Sequence, residues 1–277
     1  MATSSSTSSE HLQAYTELYN LSFGYLKPMA LQCAINLGIP NTIQKCGGSA
    51  SLPDLLATVP VPEHRKPYLP RLMRFLAATG IVALDAPSAD DESATGKAMA
   101  VTSLYRLTPV SRLLVDDVGT NLSAFVLAQT TKYHLTASMH LSEWFEGVDG
   151  ATAARQMPFK MAHGMYVREA LQCDLQFNEV LNTGMASDSQ VVLDFVVTRC
   201  GEVFDGMASL VDVGGGTGSA ARTIAKAFPR VECSVLDLPR VISSIQPVDD
   251  GVVEYIAGDM MDSIPPTDAV LLKVCTN

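Results

Sequence analysis

The stretch Leu210-Val211-Asp212-Val213-Gly214-Gly215-Gly216-Thr217-Gly218 decides the fold. Its first residues read as a short apolar strand and its glycines as a tight turn; a helix follows from Ser219 to Phe228 and stops at Pro229. A strand–turn–helix of this kind lets backbone approach a ligand closely and points a helix N-terminus at it. The spacing selects the ligand. A dinucleotide fingerprint needs G-x-G-x-x-G, but the third position here falls on Ser219, leaving G-x-G-x-G with the acid Asp212 two places before its first glycine. That form suits a nucleoside with an amino-acid tail and no pyrophosphate.

The residues that follow extend the pattern. A second strand, Val231 to Leu236, ends at Asp237, about 20 residues past the turn, where a carboxylate can accept hydrogen bonds from both ribose hydroxyls. A third, Val252 to Ile256, runs into Gly258-Asp259-Met260, an acid to meet an exocyclic adenine amine and a thioether to pack on the ring. A fourth, Asp268 to Lys273, ends in a basic residue. Asp259 and Lys273 taken singly also suit solvated strand ends. The series as a whole reads as the opening half of an α/β domain that binds S-adenosylmethionine.

Upstream, apolar residues at helical spacing from His11 to about Cys46 predict two helices, broken near Gly24 and Pro28. Ser51 is placed to cap a short helix from Pro53 to Ala57, and Glu63 to Gly80 carries Leu69, Leu72, Met73, Leu76 and Ala77 on one face. Ile81–Leu84 and Leu104–Thr108 read as two short strands joined by a loop. Helix, helix, hairpin is winged-helix architecture. Arg65, Lys66, Arg71 and Arg74 favour DNA, but the wing loop carries Asp85, Asp90, Asp91 and Glu92 against Lys97, which repels a phosphate backbone. The same fold without DNA pairs two subunits, and the Tyr- and Leu-rich first helix offers the apolar surface for it. The reading divides the chain into a disordered tail (1–10), a winged-helix dimerisation domain (11–119), a helical acceptor-pocket segment (120–205) and a cofactor-binding Rossmann-like domain (206–277). Phe159, Met165, Phe177, Leu181 and Met185 are the large apolar residues of the helical segment; each suits ordinary core, and as a group they could line a flat aromatic pocket.

Composition bounds the function. With 47% hydrophobic content in 277 residues the chain can bury a full core. The net charge of −10 opposes general nucleic-acid binding. Cys33, Cys46, Cys173, Cys200, Cys233 and Cys275 form no C-x-x-C pair, so neither a zinc site nor a disulfide framework is expected, and a reducing, cytoplasmic setting fits. No apolar run of membrane-spanning length occurs and the N-terminus lacks the regions of a signal peptide, so no membrane partner is expected.

With LVDVGGGTG, Asp237-Leu238-Pro239, Gly258-Asp259-Met260, MPFKMAHGM and FNEVLNTGM, the chain resembles the plant small-molecule O-methyltransferases of the caffeic-acid and flavonoid type from about His11 to Lys273. The resemblance implies a homodimer through the winged-helix domain, S-adenosyl-L-methionine as cofactor, a small phenolic acceptor, and no metal. It implies that Gly214, Gly216, Gly218, Asp237, Asp259, Met260 and Lys273 contact the cofactor and that Phe177, Leu181 and Met185 face the acceptor. Leu171 and Leu181 replace aromatic or polar residues usual in caffeate enzymes, so an acceptor other than caffeate is expected. The family's catalytic base, a histidine four residues after the lysine, falls on Asn277, and an amide takes no phenolic proton. His163 is the only histidine near the pocket-forming segment and reads as structural. The family sheet has seven strands in the order 3-2-1-4-5-7-6, of which strands 1–4 are present, so a C-terminally truncated, catalytically impaired chain with strand 4 as an exposed edge is expected. The alternatives are a non-catalytic dimerising module that pairs with full-length relatives and, more distantly, a winged-helix regulator.

Overall fold

The structure, a computed structural model, describes residues 3–85, 103–116, 121–147, 157–243, 245 and 251–273. The acids and Lys97 of the wing loop beyond Asp85, the end of the Gly147–Gly150 loop, and Asn277 lie outside the described residues. The chain divides into two compact units, Met1–Gly184 and Met185–Asn277.

The first unit opens with α1 (Thr3–Ser22), α2 (Leu26–Asn36) and α3 (Ile39–Lys45). Residues 3–10, expected as a disordered tail, belong to α1 instead. Once a helix is nucleated each added residue gains a hydrogen bond, and serine or threonine costs only a few tenths of a kcal/mol against that, which the compositional reading ignored. Where one helix was expected to run to Cys46, Gly38 turns the chain at a φ of 66° and Pro40 opens a separate α3. Glu63–Gly80 is likewise not one helix: Glu63–Tyr68 is a 3-10 turn containing Pro67, and α5 (Leu69–Ala78) starts anew with a proline in its first turn. Pro67 has no N–H to donate and its ring would crowd the carbonyl four residues back, so an α-helix cannot pass through it.

The expected hairpin is present as β2 (Val82–Asp85) and β3 (Leu104–Leu107), with Val82 opposite Leu107. A further strand, β1 (Ser49–Ser51), pairs with the other edge of β3, Ala50 opposite Tyr105, giving the order β1-β3-β2. Ser51 then caps α4 (Leu52–Thr58) as its position predicts: its Oγ accepts from the Asp54 N–H at 3.3 Å, and Asp54 Oδ2 accepts from the Ser51 N–H at 2.9 Å. Ile39, Ile43, Leu55, Met73, Leu76 and Val82 pack into the core between these helices and the sheet, each fully buried side chain contributing about 1.5–3 kcal/mol. After β3 come α6 (Pro109–Arg112), α7 (Ser123–Gln129), α8 (Lys132–Met139), α9 (Leu141–Glu146), α10 (Pro158–His163), α11 (Val167–Cys173) and the long α12 (Leu175–Arg199). The expected amphipathic stretch from Met157 to Met185 is interrupted at Gly164, whose φ of 71° ends α10. Gly184 is where α12 meets α7: a Cβ there would stand 2.7 Å from the Ala128 Cβ, so only glycine permits the crossing.

The second unit carries β4 (Ser209–Val213), α13 (Ser219–Ala227), β5 (Glu232–Asp237), α14 (Pro239–Ile242), β6 (Val253–Ala257) and β7 (Ala269–Leu272). All four strands are parallel, in the order β6-β5-β4-β7, the arrangement that the resemblance implies for strands 1–4. Parallel strands are covered on both faces and therefore read as continuous apolar runs. Leu210, Cys233 and Val235 pack under Ala220, Ala221 and Ile224 of α13, while Val211, Val213 and Leu236 face the other way with the half-buried Ile256 and Met260. The amino end of β4 is held by Asp268, whose Oδ2 accepts from the Ala208 and Ser209 N–H groups at 2.8 and 3.0 Å. Those bonds pull its carboxyl below the usual range. Among the described residues β7 pairs only with β4. No helix of the described residues is long and apolar enough to cross a membrane.

Candidate cofactor site

From β4 the chain steps outward to β5 and β6 on one side and returns to β7 on the other, so the topological switch point lies at the carboxyl end of β4. The glycine turn sits there. Gly214, Gly216 and Gly218 have φ values of 69°, 53° and 74°, a region that favours glycine. A Cβ on Gly216 would meet nothing within 4 Å, so this part of the turn presents bare backbone to open space.

Asp237, at the end of β5, is bonded to that turn. Its Oδ2 accepts from the Gly216 N–H at 2.9 Å and its Oδ1 from the Leu238 N–H at 2.7 Å. Each carboxylate oxygen keeps a second lone pair, so the group can brace the turn and still accept hydroxyls. Asp212 lies beneath the turn, 3% exposed, and its Oδ2 has no hydrogen-bond partner. A Cβ on Gly215 would stand 2.5 Å from that oxygen, so the middle glycine is needed to admit the carboxylate. Burial, with a smaller push from the Asp237 charge, raises the Asp212 carboxyl to about 6 against the pull of an Ala221 backbone hydrogen bond. The turn thus combines bare backbone, a half-buried carboxylate with spare lone pairs and an orphaned buried carboxylate oxygen. This set fits a polar nucleoside bearing a cationic amino-acid tail.

The remaining sequence-predicted cofactor residues lie in the same unit. Met260 packs on Val211, Val213 and Leu236 at the carboxyl ends of the strands. Asp259 is exposed and its Oδ1 accepts from the Met261 N–H at 2.9 Å. Lys273, just past β7, donates to Asp188 Oδ2 of α12 at 2.6 Å, with both side chains about three-quarters buried. The sequence reading missed Asp188 and Tyr255. No pattern flags a partner 85 residues away, and Tyr255 looks like an ordinary strand aromatic.

The residues predicted to face an acceptor share one helix, α12. Phe177 is 3% exposed and stacks on Tyr133 with centroids 4.1 Å apart. Leu181 is half-buried in the same cluster, and Met185 is half-buried one turn on. Tyr133 donates to Asp174 Oδ2 at 2.9 Å, which raises the phenol, and the Asp174 carboxyl is lowered first by the Phe177 N–H and then by this hydroxyl. His163 packs against the Tyr133 and Phe159 rings, with its Nε2 at 2.9 Å from the Tyr133 carbonyl oxygen. A carbonyl only accepts, so that nitrogen carries the proton in this contact and supports a neighbouring segment.

The described geometry is that of a class I methyltransferase core, and sequence comparison agrees. A family model of the O-methyltransferase domain matches residues 138–276, and one of the O-methyltransferase dimerisation domain matches residues 19–117. The chain is 41% identical over 278 residues to the flavonoid O-methyltransferase-like protein Os11g0303600 of Oryza sativa subsp. japonica, covering 97% of this chain and 71% of that one. The chain belongs to the plant S-adenosylmethionine-dependent O-methyltransferase family. It is also 36% identical over 268 residues to the 8-hydroxyquercetin 8-O-methyltransferase of Mentha piperita, covering 97% and 70% of the two chains. Among solved structures it matches the S-adenosylhomocysteine-bound calicheamicin methyltransferase CalO1, with a TM-score of 0.72 at 22% identity over 95% of this chain and 71% of that one. Human N-acetylserotonin methyltransferase matches with a TM-score of 0.67 at 17% identity, over 93% and 70%. These two likenesses show the fold.

Proposed function

We propose that this O-methyltransferase transfers a methyl group to a hydroxyl of a small phenolic acceptor of the phenylpropanoid or flavonoid class. The observation that carries the cofactor side is Asp237 bonded to Gly216, a ribose-accepting carboxylate locked to the turn where backbone is bare. S-adenosylmethionine, when bound, supplies an electrophilic methyl on its sulfonium. Gly214, Gly216 and Gly218 would let it approach the backbone, Asp237 would take the ribose hydroxyls, Asp259 and Met260 the adenine, and Lys273 would close the site from β7. Phe177, Leu181 and Met185 are proposed to hold the acceptor, an apolar set suited to an aromatic ring. The Mentha relative, named for methylating a flavonoid hydroxyl, supports that class. The dimerisation match and the exposed α1 support a homodimer.

Methyl transfer needs an acceptor oxygen freed of its proton and held in line, so positioning and a general base carry the rate. Position 277, where the family's base falls, is an asparagine, and His163 Nε2 is committed to the Tyr133 carbonyl. With asparagine at 277 the chain should therefore transfer methyl groups to phenols slower by about the 10²–10⁴-fold that a general base typically supplies. Asn277→His, which puts an imidazole at that position, should raise the rate. Radiolabelled transfer to hydroxycinnamates, flavonoids and small phenols measures both; full turnover with asparagine at 277 would sink the impairment. Asn277 equally favours a second reading, a non-catalytic module that pairs with longer relatives, for which co-purification with one would be the mark.

Calorimetry tests the cofactor side. Asp237→Ala should weaken S-adenosylmethionine binding by about 1.5–3 kcal/mol, because the ribose donors lose their acceptor and Gly216 its brace. Equal affinity in variant and wild type would place the nucleoside elsewhere.

A further inference from the structure

The glycine turn is held from a side that the sequence motif does not reveal. Tyr255, in the middle of β6, extends across β5 beneath the start of α13. Its hydroxyl donates to the Thr217 carbonyl at 2.7 Å. The same oxygen accepts from an Arg222 guanidinium N–H at 3.1 Å, one turn into α13. Around Gly218 there is no slack: a Cβ built there would stand 2.7 Å from the Tyr255 Oη, 3.0 Å from Val235 Cγ2 and 3.2 Å from Tyr255 Cε1. The last glycine of the motif is therefore required by this tyrosine as well as by its φ of +74°.

The direction of the relay matters. A tyrosine hydroxyl has one proton, and a guanidinium can only donate, so Arg222 occupies the acceptor side of the oxygen and leaves the proton for Thr217. A charged donor also polarises the phenol and strengthens the bond that it passes on. With Asp237 gripping the Gly216 N–H, the turn is braced on consecutive residues by two different strands: a carboxylate from β5 and a phenol from β6.

We infer that Tyr255, oriented by Arg222, is a positioning residue for cofactor binding, fixing the Gly216–Thr217–Gly218 segment in its ligand-accepting conformation before ligand arrives. This rests on the proposed cofactor site and adds to it Tyr255, which bonds the turn's backbone rather than the ligand, and Arg222, which bonds Tyr255. If the turn is pre-set by the relay, breaking the relay makes ligand binding do the ordering, and affinity falls.

The experiment is calorimetric binding of S-adenosylhomocysteine to the full 277-residue chain and to Tyr255→Phe, Arg222→Met and the double variant, with thermal melting of each. Tyr255→Phe keeps the ring that fills the space under Gly218 and removes only the hydroxyl. It should raise Kd about 3- to 10-fold, the worth of one hydrogen bond. Arg222→Met should raise it about 2- to 3-fold, and the double variant should bind no more weakly than Tyr255→Phe alone, because the arginine reaches the turn through the phenol. A purely packing role would leave Tyr255→Phe at wild-type affinity, and two independent structural effects would multiply in the double variant; either result overturns the inference. Should Tyr255→Phe lose its cooperative melt, the comparison of Arg222→Met with wild type decides, unchanged affinity overturning the relay. Wild-type binding abolished by Asp237→Ala with Tyr255→Phe unaffected would sink the brace and keep the site, whereas no wild-type binding would sink the site and the brace with it.

Discussion

The two sheets of this chain leave opposite kinds of group in unfavourable surroundings. The parallel sheet of the second unit buries a carboxylate, Asp212, with one oxygen lacking a partner. The antiparallel sheet of the first unit has a well-filled core, yet the helix that opens that unit holds Tyr15 61%, Leu18 64% and Tyr19 56% exposed. An orphaned carboxylate calls for a polar ligand and its proton balance; a row of exposed aromatics calls for another apolar surface. Each unit thus carries its own unsatisfied feature, a buried carboxylate oxygen in one and exposed apolar side chains in the other.

The sharpest way to break that division is Gly218→Ala. A side chain at a φ of +74°, with its Cβ overlapping the Tyr255 hydroxyl, should cost about 3–4 kcal/mol in unfolding free energy from strain and lost turn bonds together. Urea denaturation would show it, and an unaltered midpoint would mean that the turn is looser than its geometry. The first unit's own melt should not move.

Asp212→Asn tests the buried carboxylate through pH. Because folding raises this carboxyl from 3.8 to about 6, the folded state binds the proton more tightly, so the stability it contributes is present below about pH 4 and is lost as pH rises through 6. The gap between wild type and Asp212→Asn should therefore shift against wild type by up to about 3 kcal/mol between pH 3.5 and pH 7, all other groups being common to both. Parallel pH profiles would show that water or a counter-charge reaches Oδ2.

The corresponding test in the first unit is Tyr19→Glu. Tyr19 stands between Tyr15 and Phe23, with centroids 6.0 and 4.8 Å away, and a charge there should weaken self-association by about 2 kcal/mol, roughly 30-fold in Kd. Sedimentation at several concentrations measures it; an unchanged dimer would move the pairing surface off α1. The smallest effect is expected at Glu63, 86% exposed and paired with Lys66 at 2.5 Å. Glu63→Gln should change stability by less than about 0.5 kcal/mol, since exposed pairs are screened and entropically costly. Asp188→Asn, which breaks the better-buried pair with Lys273, should exceed it.

What the sequence made legible differs between the units for the same physical reasons. In the second unit, the inner strands β4 and β5 are largely apolar and buried, and acids stand at strand ends, so β4 to β7, the turn and Asp237 were all readable from local pattern. Tyr255 and Asp188 were not, because each acts on a group remote in sequence: Tyr255 on Thr217, Asp188 on Lys273. In the first unit, β1 is Ser-Ala-Ser, three residues whose pairing with β3 is decided by what lies opposite and not by their own alternation. The helix breaks at Gly38 and Pro67 turn on single residues, which a periodicity count averages away.

Asp268 has a consequence for how the chain is made. Its carboxylate fastens the amino end of β4, and β7 fills the flank of β4 opposite β5, pairing Leu210 with Ala269. A ribosome delivers β4, β5 and β6 well before either of those partners emerges. Until then β4, an inner strand of the four-stranded sheet, is a bare edge carrying Leu210, Val211 and Val213, the sort of nascent surface that chaperones cover and that misassembles when synthesis outruns them.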